Sequence, residues 1–283
     1  MYTDYWGLTE KPFENTPDPR FFYCSSKHEE ALTRLLYVVE EKKGAAMLSG
    51  EYGSGKTILS RIVLAKLLQE QEKYKVAIII NPTIPVLELL SEIVYQLGTE
   101  ISQDDRKIDT LHNLNGILYK NAENNKHTVI IIDDAQAIED ESIFEELRLL
   151  LNFQLNECFL LTLILLGQPE LKEKIEKLPQ LKQRLALRYH LDNLDESETG
   201  SYIEHRCKVA GREEQIFSPE TYKLLYDYSG GSPRQINNIC DLSLVIGMGE
   251  KSTHIDGRII QEVIKDFQQG QEAVDKAEEK VDG

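Results

Sequence analysis

Between Gly44 and Leu194 the apolar positions do not alternate with polar ones but gather into short continuous runs. Five such runs stand out: 45–49, 76–80, 128–132, 161–166 and 186–191, each rich in Val, Ile, Leu, Ala or aromatic residues. Strands that are apolar along their whole length are buried on both faces, which is the condition of a parallel sheet covered by helices. The stretches between them carry helical spacing instead. The pattern predicts an α/β domain built on a five-stranded parallel sheet.

Beyond Leu194 the β-rich runs stop. A helical stretch from Glu196 to Ala210 closes at Gly211, and Ser218-Pro219 and Ser232-Pro233 each pair an N-cap serine with a proline suited to a first helical turn. A last helix is expected from about Asp256 to Phe267. Upstream, Ser26-Lys27-His28-Glu29 has the form of a capping box opening a helix that runs to about Lys42. The expected organisation is an N-terminal arm over residues 1–28, an α/β domain over 29–193, a small all-helical lid over 194–268 and an acidic tail over 269–283.

Composition narrows the class. The 283 residues are 41% apolar, which excludes disordered, collagen-like and coiled-coil chains. A chain this long buries an adequate core without disulfides or metals. Cys24, Cys158, Cys207 and Cys240 form no C-x-x-C pair, so neither a zinc site nor a disulfide framework is expected, and a reducing, cytoplasmic compartment fits. The longest apolar stretch falls short of the roughly 18 to 20 residues that a membrane helix needs. The first residues lack the basic stretch and apolar core of a signal peptide, so export is not expected. The 48 acidic residues exceed the 32 basic ones by 16, spread along the chain, which disfavours nucleic acid as the main partner.

The chemistry concentrates at two places. Gly50-Glu51-Tyr52-Gly53-Ser54-Gly55-Lys56-Thr57 matches G-x-x-x-x-G-K-[ST] directly after the first apolar run and before an amphipathic helix starting near Ile58. In this pattern the glycines let backbone N–H groups surround phosphate oxygens and the helix N-terminus adds partial positive charge. Lys56 reaches the β- and γ-phosphates, and the Thr57 hydroxyl binds Mg²⁺. The segment 50–58 is therefore the expected ATP-binding element. The third run ends in Asp133-Asp134, as a Walker B strand does. Asp133 is then the expected Mg²⁺ residue, acting through water with Thr57, and Asp134 takes the position of the base that orients the attacking water.

With these motifs in view, the chain resembles the AAA+ ATPases of the ExeA/GspA type, associated with bacterial secretion and envelope assembly. The resemblance runs from Tyr5-Trp6-Gly7-Leu8, Lys11-Pro12-Phe13 and the segment 17–22 through Asp133-Asp134-Ala135-Gln136, 147–152 and Gly167-Gln168-Pro169-Glu170-Leu171 to Gly231-Ser232-Pro233-Arg234. It implies that Gln168 is a polar sensor of the γ-phosphate and that Arg184 is an arginine finger donated to a neighbouring subunit, with Arg188 as a competitor. It further implies that Arg234 touches nucleotide from the lid, and that Phe13 and the N-terminal arm pack near the adenine. A ring-like homo-oligomer, a hexamer, follows as the expected assembly. Secretion or envelope machinery proteins follow as partners, with any inner-membrane association made through them.

One departure is visible. The family usually places Glu after the Walker B Asp, and Asp134 is shorter by one methylene, which puts its carboxylate on the order of 1.5 Å further from the water. Slow hydrolysis, or a nucleotide-switch scaffold, is one alternative reading. The other is a DNA-associated ATPase of the TniB/TnsC kind, with Lys172, Lys174, Lys177 and Lys182 as its basic surface. Membrane-bound members of the family continue past the lid into a transmembrane helix and a peptidoglycan-binding domain, neither of which occurs in these 283 residues.

Overall fold

The computed structural model describes residues 1–278 except 101, 103–105 and 156–157, with side chains as far as residue 269. The chain opens with helix α1 (Tyr2–Trp6) and a 3-10 turn (Pro19–Phe21), then α2 (Ser26–Glu40), strand β1 (Ala45–Gly50) and α3 (Lys56–Gln69). Next come β2 (Tyr74–Ile79), α4 (Val86–Gln96), α5 (Lys107–Glu123), β3 (His127–Ile132), a second 3-10 turn (Ala135–Ala137) and α6 (Glu141–Leu150). A short antiparallel pair, β4 (Gln154–Leu155) and β5 (Cys158–Phe159), precedes β6 (Leu161–Gly167), α7 (Pro169–Glu176), α8 (Pro179–Lys182) and β7 (Leu185–Leu191). Helices α9 (Glu196–Val209), α10 (Glu220–Ser229), α11 (Pro233–Gly249) and α12 (Gly257–Glu278) complete the chain.

The five apolar runs form one parallel sheet in the order β2-β3-β6-β1-β7. Strands β1, β3 and β6 occupy its middle and are buried at every position, as their predominantly apolar composition requires. Facing residues on helices α4, α5 and α6, such as Leu90, Leu114 and Phe144, close one core over them. Strand β2 is an edge, and its exposed backbone is blocked by a side chain. Gln96 Oε1 accepts the Ile78 N–H at 2.7 Å while Gln96 Nε2 donates to Ile78 O at 2.9 Å, so one carboxamide takes the place of a neighbouring strand.

Two compact units emerge among the described residues: Ser26–Asp192 holds the sheet, and Met1–Ser25 folds together with the chain from Asn193 onward. Of the arm expected over residues 1–28, residues 1–25 are therefore part of the helical unit, and residues 26–28 open α2 of the sheet unit. The arm's attachment is explained by Arg206 on α9. Arg206 is 6% exposed, its guanidinium donating to Pro12 O, to Glu14 O at 2.9 Å and to the Tyr202 hydroxyl at 2.9 Å. Trp6 Nε1 donates to Leu244 O at 2.9 Å, and the Thr9 N–H to Ala210 O at 2.8 Å. Buried backbone carbonyls without donors would cost about 1–3 kcal/mol each, so these bonds and the aromatic burial hold the arm. The last helix also exceeds expectation: α12 continues to Glu278, so the stretch read as a tail from 269 begins inside a helix, and residues 279–283 lie outside the described residues.

Candidate nucleotide-binding site

Strands β1, β3 and β6 are in register, with Ser49 opposite Gly167 and Ile132 opposite Leu165, so the loops that follow them emerge at one edge of the sheet. Ligands of open parallel sheets bind in the crevice outside such carboxyl ends. The loop after β1 is the Gly50–Thr57 motif, and α3 starts at Lys56. The first N–H groups of α3 have no carbonyl partners within the helix, so its N-terminus presents donors and partial positive charge.

The loop is shaped from two sides. Lys56 is buried, and its Nζ donates to Gly50 O at 2.7 Å and Glu51 O at 2.8 Å. Opposite, Nε2 of the buried His28 from α2 sits 3.0 Å from Ser54 O, as a donor to that carbonyl. Gly55 lies between them at φ +100°, and a Cβ there would come within 2.9 Å of His28 Nε2. Only glycine meets both conditions. Burial lowers the Lys56 pKa, while the carboxylates of Asp133 and Asp134 oppose the shift.

Asp133 follows β3 and is 2% exposed. Its Oδ1 accepts the Asp134 N–H at 3.0 Å, its Oδ2 accepts Ser60 Oγ at 3.2 Å, and the Thr57 hydroxyl also bonds to it. Burial pushes this carboxyl above its ordinary value and the neighbouring Asp134 adds to the rise, against the three hydrogen bonds. Thr57, Ser60 and Asp133 thus stand together: two hydroxyls on one acid.

Asp134 is exposed and adopts a left-handed conformation at φ 50°, ψ 36°. Gln136 Nε2 donates to its Oδ1 at 3.1 Å, and Gln136 Oε1 accepts the Gln168 N–H at 3.0 Å. Gln168 itself is half-buried at the N-cap of α7.

Within the loop, Glu51 and Tyr52 are exposed, Gly53 and Ile58 are half-buried, and Ser54 is buried. Arg184 is half-buried and engaged within its own unit, donating to Leu151 O at 3.3 Å and Asn152 Oδ1 at 2.9 Å where α6 ends. Arg188 pairs with Glu176 on the surface. Arg234 is exposed in the first turn of α11 in the helical unit. Phe13 is 2% exposed inside the helical unit, edge-on to Phe217 at 5.7 Å, as part of that unit's core. Lys174 leaves the basic surface, with its Nζ donating to Gln136 O and Ile138 O at 2.7 and 2.6 Å. His28, Ser60 and Gln136 have no role in the sequence reading. The signals for His28 and Gln136 were their places inside the capping segment and the acidic block.

A five-stranded parallel sheet in this order, with a phosphate-loop motif after β1 and an acidic pair after β3, defines an AAA+ protein of the P-loop class. An AAA domain model matches residues 39–175. The chain is 37% identical over 257 residues to the "General secretion pathway protein A" of Aeromonas hydrophila, covering 90% of this chain and 46% of that protein. It belongs to the ExeA/GspA-like AAA+ ATPases and spans about half the length of that relative. Among solved structures, the Aeropyrum pernix ORC2 protein in its ADPNP and ADP complexes superposes with a TM-score of 0.68 at 19% identity, covering 90% of this chain and 71% of its own. The Aeropyrum pernix ORC1 protein in complex with DNA gives 0.63 at 15%, covering 85% and 65%. At these identities the likeness is one of fold.

Proposed function

We propose that this chain binds ATP with Mg²⁺ and hydrolyses it within a homo-oligomeric ring, driving assembly or remodelling of a secretion or envelope-export machine. The observation that carries the reading is the buried Lys56 at the loop after β1 together with the buried Asp133 and its Thr57 and Ser60 hydroxyls after β3. These residues fit a divalent ion: Thr57 would ligate it and Asp133 would hold its water. No group of three or more His, Cys, Asp or Glu ligands stands together among the described residues, so the nucleotide's own phosphates would complete the shell. Bound there, the ion supplies charge to the β- and γ-phosphates.

Asp134 then takes a proton from the water that attacks the γ-phosphorus as the bond to the ADP oxygen breaks. Gln168, Arg184 and Arg234 are proposed as the γ-phosphate sensor, the finger from a neighbouring subunit and a nucleotide contact. A cytoplasmic location, with membrane association through partners, is part of the proposal, and the likeness to a general secretion pathway protein supports its secretion side.

Titration calorimetry with ATP and Mg²⁺, followed by steady-state phosphate release, tests the reading. Heat that saturates, together with turnover, supports it; no heat overturns it. A DNA-associated role has less behind it, since the net charge is −16 and Lys174 is committed internally. A gel shift with duplex DNA at low and physiological salt, with and without a non-hydrolysable ATP analogue, decides between the two.

A further inference from the structure

The carboxamide of Gln136 joins two turns that the sequence keeps apart. Its Nε2 reaches Asp134 Oδ1 in the turn after β3, and its Oε1 receives the Gln168 N–H in the turn after β6, 32 residues away. Both ends of one planar group are used, one as donor and one as acceptor.

Three features keep the bridge in place. The backbone at Gln136 is clamped from α7, because Lys174 Nζ donates to its carbonyl and to that of Ile138. Asp134 sits in left-handed backbone, a conformation that Asp tolerates better than most residues. At Gly167 a Cβ would come within 2.8 Å of Gln136 Oε1, so the end of β6 leaves room for the carboxamide. The chemistry also excludes the isosteric acid: Glu could accept the Gln168 N–H but has no proton for Asp134 and would place a second negative charge beside it.

We propose that Gln136 is a positioning residue of the hydrolytic site, holding the Asp134 carboxylate in its working orientation and tying it to the turn that carries Gln168. A displacement at Gln168 is then passed to the acid through a single side chain. This rests on Asp134 being the acid that handles the attacking water. It accounts for how a carboxylate one methylene shorter than the family's usual Glu is kept oriented.

The test uses the full chain and the variants Gln136→Leu, Gln136→Glu, Asp134→Asn and the double variant Gln136→Leu/Asp134→Asn. Calorimetry with ATP and Mg²⁺ and steady-state phosphate release are measured on each. The expected result is a kcat about tenfold lower or more in Gln136→Leu, with KM and ATP affinity within about twofold of the unsubstituted chain. Gln136→Glu should lose at least as much despite its matched size. In the Asp134→Asn background, Gln136→Leu should cost nothing further, because the group it orients has gone.

An unchanged kcat in Gln136→Leu overturns the assignment. So does a parallel loss of affinity and thermal stability, or full activity in Gln136→Glu. A chain that binds ATP but turns nothing over overturns this inference and leaves nucleotide binding standing. A chain that binds no ATP overturns both.

Discussion

Ser60 Oγ donates to Asp133 Oδ2 across 3.2 Å, fastening the helix after the phosphate loop to the acid that follows β3, 73 residues further on. With Thr57 on the same carboxylate, the two motifs form a single buried cluster rather than two independent ones. Because burial raises the Asp133 pKa, the ionised carboxylate is held at a cost: a carboxyl whose folded pKa lies above its unfolded one is destabilising when deprotonated. Asp133→Asn is therefore expected to leave the thermal midpoint at pH 7 unchanged or higher while abolishing the enhancement of ATP binding by Mg²⁺. Differential scanning calorimetry without ligand and ATP titrations with and without Mg²⁺ check both halves. A marked drop in the midpoint would mean that the carboxylate stabilises the fold.

Lys56 is the one loop side chain whose charge faces the two acids. Lys56→Ala should reduce ATP affinity by two or more orders of magnitude, the loss of a charge-assisted phosphate contact from a desolvated site being worth about 3 kcal/mol. Unchanged binding by Lys56→Ala in titration calorimetry would overturn the assignment of the loop.

The tether from Gln136 sets the expectation for the Asp134 side chain. An added methylene in Asp134→Glu carries the carboxylate past Gln136 Nε2, so kcat should fall while affinity stays the same. Rates at saturating ATP are the measurement. A faster Glu variant would show that reach, and not orientation, limits the shorter acid.

Arg184 is bonded at the end of α6, so its removal has two separable consequences. Arg184→Ala should lower stability by about 1–2 kcal/mol in urea unfolding, the worth of hydrogen bonds from a charged donor. If the residue is also donated to a neighbouring subunit, mixing inactive Arg184→Ala with inactive Asp133→Ala chains should restore partial ATPase activity. No recovery in mixtures shown to co-assemble would confine Arg184 to its structural bond.

Acid should weaken the sheet through His127. The imidazole at the start of β3 is buried, 2.8 Å from Thr162 Oγ1, and burial, aided by the charge of Lys42, lowers its pKa to about 4. The unfolded chain, titrating near 6.5, binds the extra proton first. Stability is therefore expected to fall as pH drops from about 6.5 and to level off near 4, a loss of about 3 kcal/mol in all. His127→Gln should flatten that slope in urea titrations taken across the range. An equally steep slope in the variant would place the acid sensitivity elsewhere.

Features whose signals are local can be read from the order of residues alone. Short apolar, β-rich runs separated by helical stretches mark strands, so all five strands of the sheet were legible to within two residues, although only the three central ones are covered along their whole length and the edge strands β2 and β7 keep exposed positions. The loop from Gly50 to Thr57 was legible because glycine spacing, a lysine and a hydroxyl are all that the turn requires. The extension of α12 was missed because a polar amphipathic run reads as a tail when nothing local ends the helix. The pairings between distant side chains arise only once the chain has packed. Arg206 takes carbonyls from the N-terminal arm and so assigns residues 1–25 to the helical unit. His28 reaches the loop at Ser54, Gln96 stands in for a missing strand, and Gln136 spans from Asp134 to Gln168. Each of these bonds satisfies a donor or acceptor created by packing, and which carbonyl or carboxylate needs a partner is not defined until the chain has folded around it.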